Sequence, residues 1–324
     1  MTSNPEYDVI IIGGGAAGLA AAVTLGRARR RVLVVDAGAP RNAVAAHAHN
    51  YLGLEGIPPL ELLARGREEA RSYGAEIRQG SAVSASGTIG DFTVTLTAGP
   101  DVLTSSADVT ASRVLVTTGL TDELPAIPGL ADRWGREVLH CPFCHGWEVR
   151  DKTVGIIGSP FAVHQALMWR QWVDDVVLFT HESVPTAEQN AQLAARGVRV
   201  VPGSITSVAV ENDTLVGVNL HGENTVPVDA VVTKPTFAAN ADILVALGLE
   251  VTEMMMGEEP MGATFVATNQ AGGTSVPGVF AAGNVAAPME NVIGSAAAGV
   301  RAAGGIMATF VEEDSRIAAP VATR

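Results

Sequence analysis

A short apolar strand, a glycine-rich turn and an alanine-rich helix follow one another at the start of this sequence, and few folds tolerate that succession. Asp8 to Ile12 reads as a strand and runs into Gly13-Gly14-Gly15-Ala16-Ala17-Gly18. A helix is expected from Ala16 to Arg27, then a strand from Arg31 to Val35 that ends at Asp36. This is a βαβ unit with Gly13-x-Gly15-x-x-Gly18 at the strand-to-helix turn. The first glycine permits the tight turn, and the second lets backbone approach a pyrophosphate. The third lets helix and strand pack closely, while the helix N-terminus offers amides and a positive dipole. Asp36 stands where an acid accepts both ribose hydroxyls, which disfavours a 2′-phosphate and points to FAD or NAD rather than NADP.

A length of 324 residues fits two domains of ordinary size, and 47% hydrophobic against 17% charged residues supports a sizeable core. A second βαβ-like unit begins at Lys152: strand Thr153 to Ile157, turn Gly158-Ser159-Pro160, helix Ala162 to Trp172, strand Val176 to Phe179. Residues 81 to 117 read as β-rich and end in the strand Arg113 to Thr117, capped by Thr118-Gly119. Short strands follow the second unit, and the chain returns from about Phe237 through Val279-Phe280-Ala281-Ala282-Gly283-Asn284 to a small-residue helix, Val292 to Met307. The expected fold class is α/β, with two Rossmann-like three-layer nucleotide-binding domains, the second inserted into the first. The first would span 1–117 plus 237–324 and the second 118–236.

A net charge of −13 argues against nucleic acid or an anionic membrane as partner. The polar N-terminus carries no signal peptide pattern, and no uninterrupted apolar run approaches the roughly 18 residues of a membrane span. A cytoplasmic protein is expected.

The two cysteines share one C-x-x-C, within His140-Cys141-Pro142-Phe143-Cys144-His145. Four readings apply. As C-x-x-C-H it matches a haem attachment string, but such attachment usually follows export. As a zinc site it offers ligands too close together to wrap one tetrahedral ion, so no metal is expected. Two inert buried thiols are a third reading. A redox dithiol is the reading that best uses the pattern: thiols three apart close a disulfide with little rearrangement, and flanking histidines can stabilise a thiolate and carry protons.

The second glycine turn departs from the nucleotide pattern. Pro160 replaces the glycine that allows close backbone approach and removes an amide donor. The following strand ends Thr180-His181-Glu182, with no arginine for a 2′-phosphate. His47 and His49 read as solvated loop residues, Trp169 and Trp172 as helix core, and Met254 to Met256 as packing or a loop.

The order of fingerprint, C-x-x-C and second nucleotide fold resembles low-molecular-weight thioredoxin reductase over nearly the whole chain. The resemblance implies a homodimer with FAD held by Gly13, Gly15, Ala16, Ala17, Gly18 and Asp36. It places Asn50 near the flavin, Thr118-Gly119 at the first crossing, and Gly283-Asn284 where the family has a glycine and a ribityl-binding aspartate. It implies Cys141 as the interchange thiol and Cys144 as the flavin-proximal one, with His145, in place of the family's aspartate, and His140 handling protons. Cys-x-Phe-Cys-His-Gly, Glu148 and the altered second turn resemble the dithiol oxidase branch of gliotoxin and holomycin biosynthesis. On that resemblance a small-molecule dithiol is the partner and oxygen takes the electrons. The alternative is a thioredoxin reductase acting on a small redox protein, fed by NAD(P)H or ferredoxin.

Overall fold

The computed structural model describes residues 5–97, 107–222 and 224–318. Met1 to Asn4 and residues 98–106 lie outside them. The chain divides into two compact units: Met1–Ala43, Pro59–Thr121 and Phe237–Arg324 in one, Val44–Pro58 and Asp122–Thr236 in the other.

The first unit opens with β1 (Tyr7–Ile12), α1 (Ala16–Arg27) and β2 (Val32–Asp36), then α2 (Pro59–Ser72) and β3 (Glu76–Gln79). A meander follows, β4 (Ala82–Thr88), β5 (Asp91–Leu96) and β6 (Ala107–Val116), leading into β7 (Leu120–Glu123). Strand β6 does two jobs. Its first half pairs antiparallel with β5, and its second half lies parallel to β1 in register Val9↔Arg113 to Ile12↔Val116. Strands β1 and β2 are apolar at almost every position because both faces are buried. Val9 and Ile11 face α1 and α2, whereas Ile10 and Ile12 face Phe92 and Val94 of the meander. The two faces follow from the period of two along a strand.

The second unit runs β8 (Val138–Leu139), α3 (Pro142–His145), β9 (Thr153–Ile157), α4 (Ala162–Trp169) and β10 (Asp175–Phe179). It continues through α5 (Ala187–Ala195), β11 (Arg199–Val201), β12 (Ile205–Glu211), β13 (Thr214–Leu220), β14 (Thr225–Pro227) and β15 (Ala230–Val232). Its parallel sheet has the order β11-β10-β9-β15-β8, and β12-β13-β14 form a separate sheet. Ile156 and Leu178 face α4 and α5, while Ile157, Val177 and Phe179 face β12 and β13. Helix α4 ends at Trp169, three residues short of the expected end, because the chain turns there with Trp172 N–H donating to the Trp169 carbonyl. Trp169 is fully buried in the core. Helix α5 begins with a capping box, Thr186 and Gln189 exchanging side-chain and backbone hydrogen bonds.

The return to the first unit comprises β16 (Thr236–Ala239), α6 (Asp242–Ala246), the hairpin β17 (Val251–Met256) and β18 (Glu259–Val266), then β19 (Val279–Ala281) and α7 (Val292–Ala318). Met254 to Met256 lie in a strand of that hairpin, not in a loop. Strand β19 completes the parallel sheet beside β6. Helix α7 extends well past Met307, where the sequence pattern ends. Its added turns reach Arg113, a charge only 1% exposed, whose guanidinium donates to Thr309 Oγ1 and pairs with Glu313 at 2.7 Å. A buried cation requires such partners, and the last turns of α7 supply them. Among the described residues α7 is also the helix with the length and mean hydropathy to cross a membrane, which a search for uninterrupted apolar runs passes over. Its Ala302, Ala303, Ile306 and Phe310 are packed in the core with α1.

Candidate active site

The candidate residues fall into two sets, one in each unit. In the first unit the fingerprint turn is held from beneath by Thr117, whose hydroxyl donates to the Gly13 carbonyl at 2.8 Å. Gly13 has φ +112°, and a side chain there would overlap the Thr117 carbonyl oxygen. Gly18 sits so close to the Gly13 carbonyl that a Cβ would collide with it, the close packing expected of the third glycine. Gly15 differs from both. A Cβ built on it meets no atom within 4 Å, so its lack of a side chain leaves room above the turn. Helix α1 starts at Ala16 with Gly15 as its N-cap and no side chain capping it. The first amides of any helix lack intrahelical acceptors, so this end faces the open space with donors to offer. Ala17 is buried, and its Cβ is what a side chain on Gly283 would meet, at 3.0 Å.

Asp36 ends β2 beside the turn. It accepts from Gly38 N–H at 3.1 Å and pairs with Arg67 at 2.9 Å. An open glycine, a row of helix amides and a terminal carboxylate fit an adenine dinucleotide. Thr118 and Gly119 are tied elsewhere. Thr118 Oγ1 donates to the Asn240 carbonyl at 2.6 Å, Asn240 Nδ2 donates to the Thr118 carbonyl at 3.1 Å, and Asn240 N–H donates to the Gly119 carbonyl at 3.1 Å. Asn240 is a latch that sequence reasoning missed, since nothing local to it signals a partner 122 residues away.

Asn284 does more than stand in for an aspartate. Its Nδ2 is directed at the carbonyls of Ala287, Pro288 and Glu290, at 3.1, 3.4 and 2.9 Å. Its Oδ1 accepts from Arg41 at 3.4 Å. Carbonyl oxygens on one side and a cation on the other fix which way the amide points. Its oxygen remains able to accept, whereas its nitrogen is committed to the loop that follows.

In the second unit β8 delivers His140 and then the C-x-x-C. Cys141 is the N-cap of α3 with extended backbone, and Cys144 N–H donates to the Cys141 carbonyl at 3.1 Å. Both cysteines are half-buried. Gly146 is required next, because a Cβ there would press on Trp172 at 2.8 Å. Trp172 in turn holds Phe143 edge-on, with ring centroids 5.0 Å apart. Phe143 and Trp147 nevertheless remain largely exposed.

The Val44–Pro58 segment belongs with this dithiol helix in the second unit, although the sequence pattern predicts a first domain unbroken to residue 117. Asn50, at φ +60°, donates through Nδ2 to the Phe143 carbonyl at 2.8 Å. The structure thus brings the expected flavin-side asparagine to the dithiol helix. His49, which the sequence suggests is solvated, bridges two carboxylates: Nδ1 lies 2.6 Å from Glu55 Oε1 and Nε2 3.4 Å from Glu148 Oε1. The hydrogen bond from His49 holds the Glu55 carboxyl below the usual range. His145 is half-buried, and its Nδ1 is shielded from solvent without a hydrogen-bond partner. Burial pushes this imidazole below the ordinary histidine value. The Glu148 carboxylate opposes that shift and His49 adds to it. Among the described residues no cluster suited to a metal ion occurs.

At the second glycine turn only glycine fits at position 158, where a Cβ would overlap the Thr180 carbonyl oxygen much as one on Gly13 would overlap that of Thr117, and exposed Pro160 stands where the first turn has Gly15. Phe161 lies under the Lys234 ammonium at 4.6 Å. At the end of β10, His181 Nδ1 accepts from Ile205 N–H at 3.1 Å, and the Glu182 side chain is exposed beside it.

A family model described as pyridine nucleotide-disulphide oxidoreductase matches residues 7–304. The chain belongs to that family. Thioredoxin reductase sirT of Leptosphaeria maculans is 31% identical over 319 residues, covering 93% of each chain. The crystal structure of HlmI superposes with a TM-score of 0.86 at 42% identity, over 96% of this chain and 95% of that one. An oxidoreductase from Agrobacterium tumefaciens gives 0.84 at 36% identity, over 94% and 98%. The protein is therefore a thioredoxin reductase-like disulphide oxidoreductase with the α/β fold of that family, whose members typically bind FAD. Its two cysteines stand together at the N-cap and within α3.

Proposed function

We propose that this chain is an FAD-dependent dithiol oxidase, converting a small-molecule dithiol and oxygen into the cyclic disulfide and hydrogen peroxide. The observation that carries the reading is the contrast between the two turns, Gly15 with open space and an amide in the first and Pro160, which has no N–H, in the second. One nucleotide-binding turn is ready for a dinucleotide. The other lacks one amide donor and an arginine after its second strand for the 2′-phosphate of a nicotinamide donor. On this reading the first domain holds FAD through Gly13 to Gly18, Asp36 and the Gly283-Asn284 turn. The second, nucleotide-fold domain is an insert kept for its C-x-x-C.

With the pair oxidised, a substrate thiolate attacks Cys141 Sγ, forms a mixed disulfide and expels Cys144 as thiolate. The second substrate thiolate then displaces Cys141, releasing the substrate disulfide and leaving both cysteines reduced. Each attacking thiol must lose its proton, and His145, neutral near pH 7 because of its burial, is the base suited to take it. FAD, when bound, supplies the acceptor for the electron pair and the route to oxygen. Exposed Phe143 and Trp147 give an apolar small molecule a surface beside the thiols.

The name of the sirT relative favours a second reading, a thioredoxin reductase running the same exchange in reverse. Anaerobic stopped-flow mixing separates the two. A suitable dithiol should bleach the bound flavin, while NADPH and NADH at submillimolar concentration should leave it oxidised. Bleaching by NADPH at catalytic speed would establish the reductase instead.

A further inference from the structure

We propose that His49 and Glu148 are a positioning pair that ties the 44–58 loop to the dithiol helix and sets the field in which His145 exchanges its proton. The proposal rests on the reading of His145 as the base for thiol oxidation and goes beyond it by naming what controls that base. Three sets of contacts carry it. His49 joins Glu55 of its own loop to Glu148, which lies three residues beyond His145. Asn50, the next residue, is fixed twice: its N–H donates to Glu55 Oε2 at 2.8 Å and its Nδ2 to the Phe143 carbonyl at 2.8 Å. Ala48 bridges antiparallel to Ile57, and His47 Nδ1 meets the Gly56 carbonyl at 3.0 Å, so the loop that presents His49 is closed on itself.

A carboxylate stands near each ring nitrogen of His49, and the imidazolium is the form that offers an N–H to both sides. Half-buried His145 lies in the field of both, the Glu148 carboxylate raising its pKa and His49 lowering it, with the Cys141 carbonyl also raising it. His47, with its ring centroid 6.3 Å from that of His49, and Glu55 complete the charged and titratable surroundings on the loop side. His140 and the two thiols flank His145 along the chain. When a substrate thiol is deprotonated, its S–H bond breaks and an N–H bond forms on His145, leaving a thiolate and an imidazolium. Glu148 favours that product and His49 opposes it. Because His49 is itself held by Glu148, a change in either alters the balance.

The two variants predict opposite shifts, which a purely structural clamp would not. In the holoenzyme labelled with ¹³C-histidine, seven histidines are present, and loss of one signal in His145→Asn identifies His145. Glu148→Gln should move the His145 titration to lower pH, and His49→Gln should move it to higher pH, each by about half a unit or more. The acidic limb of dithiol-dependent flavin reduction should follow in the same directions. If the pair only braces the helix, both variants hydrate His145 and both shifts run upward, toward its ordinary value. That result, or an unmoved titration in either variant, would overturn the proposal. The resonance is read in resting protein without dithiol or oxygen, so it stands apart from whether the oxidase reading holds.

Discussion

The two units are built to one plan and end in different chemistry. Each has a parallel sheet with helices packed on one face and antiparallel strands on the other, joined there by α6 in the first unit, and each sends a β-strand into a glycine turn and a helix. In the first, Gly15 leaves a space bounded by helix amides and Asp36. In the second, the corresponding position is Pro160, and its helix is 8 residues long against 12. The sheets are equally well buried, so the difference lies wholly in a few turn residues. A fold provides the place for a ligand, and only the turn decides whether one can be there.

The comparison breaks most easily at Gly15. Gly15→Val should reduce FAD affinity at least ~100-fold, about 2.7 kcal/mol, because the added carbons fill the space a pyrophosphate needs. The apoprotein should lose only about 1 kcal/mol, the usual difference between glycine and valine at a helix N-cap. A thermal melt of apoprotein beside a flavin titration measures both. Equal losses in the two would show that Gly15 serves packing, as Gly13 and Gly18 do.

Asn284 has no counterpart in the second unit, and Asn284→Asp tests what it contributes to the first. Restoring the family's aspartate removes a donor from three carbonyls and turns a carboxylate toward them. Apoprotein stability should fall by about 2 kcal/mol by denaturant titration. An unchanged midpoint would mean that the amide holds nothing. The smallest effect is expected from repairing the second turn. Pro160→Gly with Glu182→Arg restores an amide and supplies a cation, and NADPH affinity measured by calorimetry should rise about tenfold. No gain at all would place the obstacle elsewhere, with the packing of Gly158 on Thr180 as the first suspect.

Much of this was legible because the deciding residues are adjacent in sequence. The strand, the three glycines and the helix announce the first turn within a dozen positions, and Pro160 announces the second in the same way. The C-x-x-C is as local. What stayed hidden depends on distance along the chain. Nothing near Asn240 tells that it latches Thr118, and the polar tail of α7 looks like a solvated helix end until buried Arg113 is seen to need Glu313. His49 resembles any loop histidine, and its meaning comes from Glu148, 99 positions later. The 44–58 segment, flanked on both sides by the first unit, gives no sign that it packs with the second.

The buried guanidinium of Arg113 also has a consequence in time. During synthesis every residue of the second unit has been made once position 236 is reached, whereas the first still lacks β19, α7 and the carboxylate of Glu313. At ~5–20 residues per second, the stretch from Phe237 to Arg324 takes on the order of 4–18 s to emerge. Through that interval the thiol-bearing unit can fold on the ribosome while the dinucleotide cradle stands open along the edge that β19 will fill. A nascent chain stalled before α7 would therefore have its C-x-x-C unit in place yet hold no flavin, and a truncation that removes Glu313 would leave Arg113 without its carboxylate.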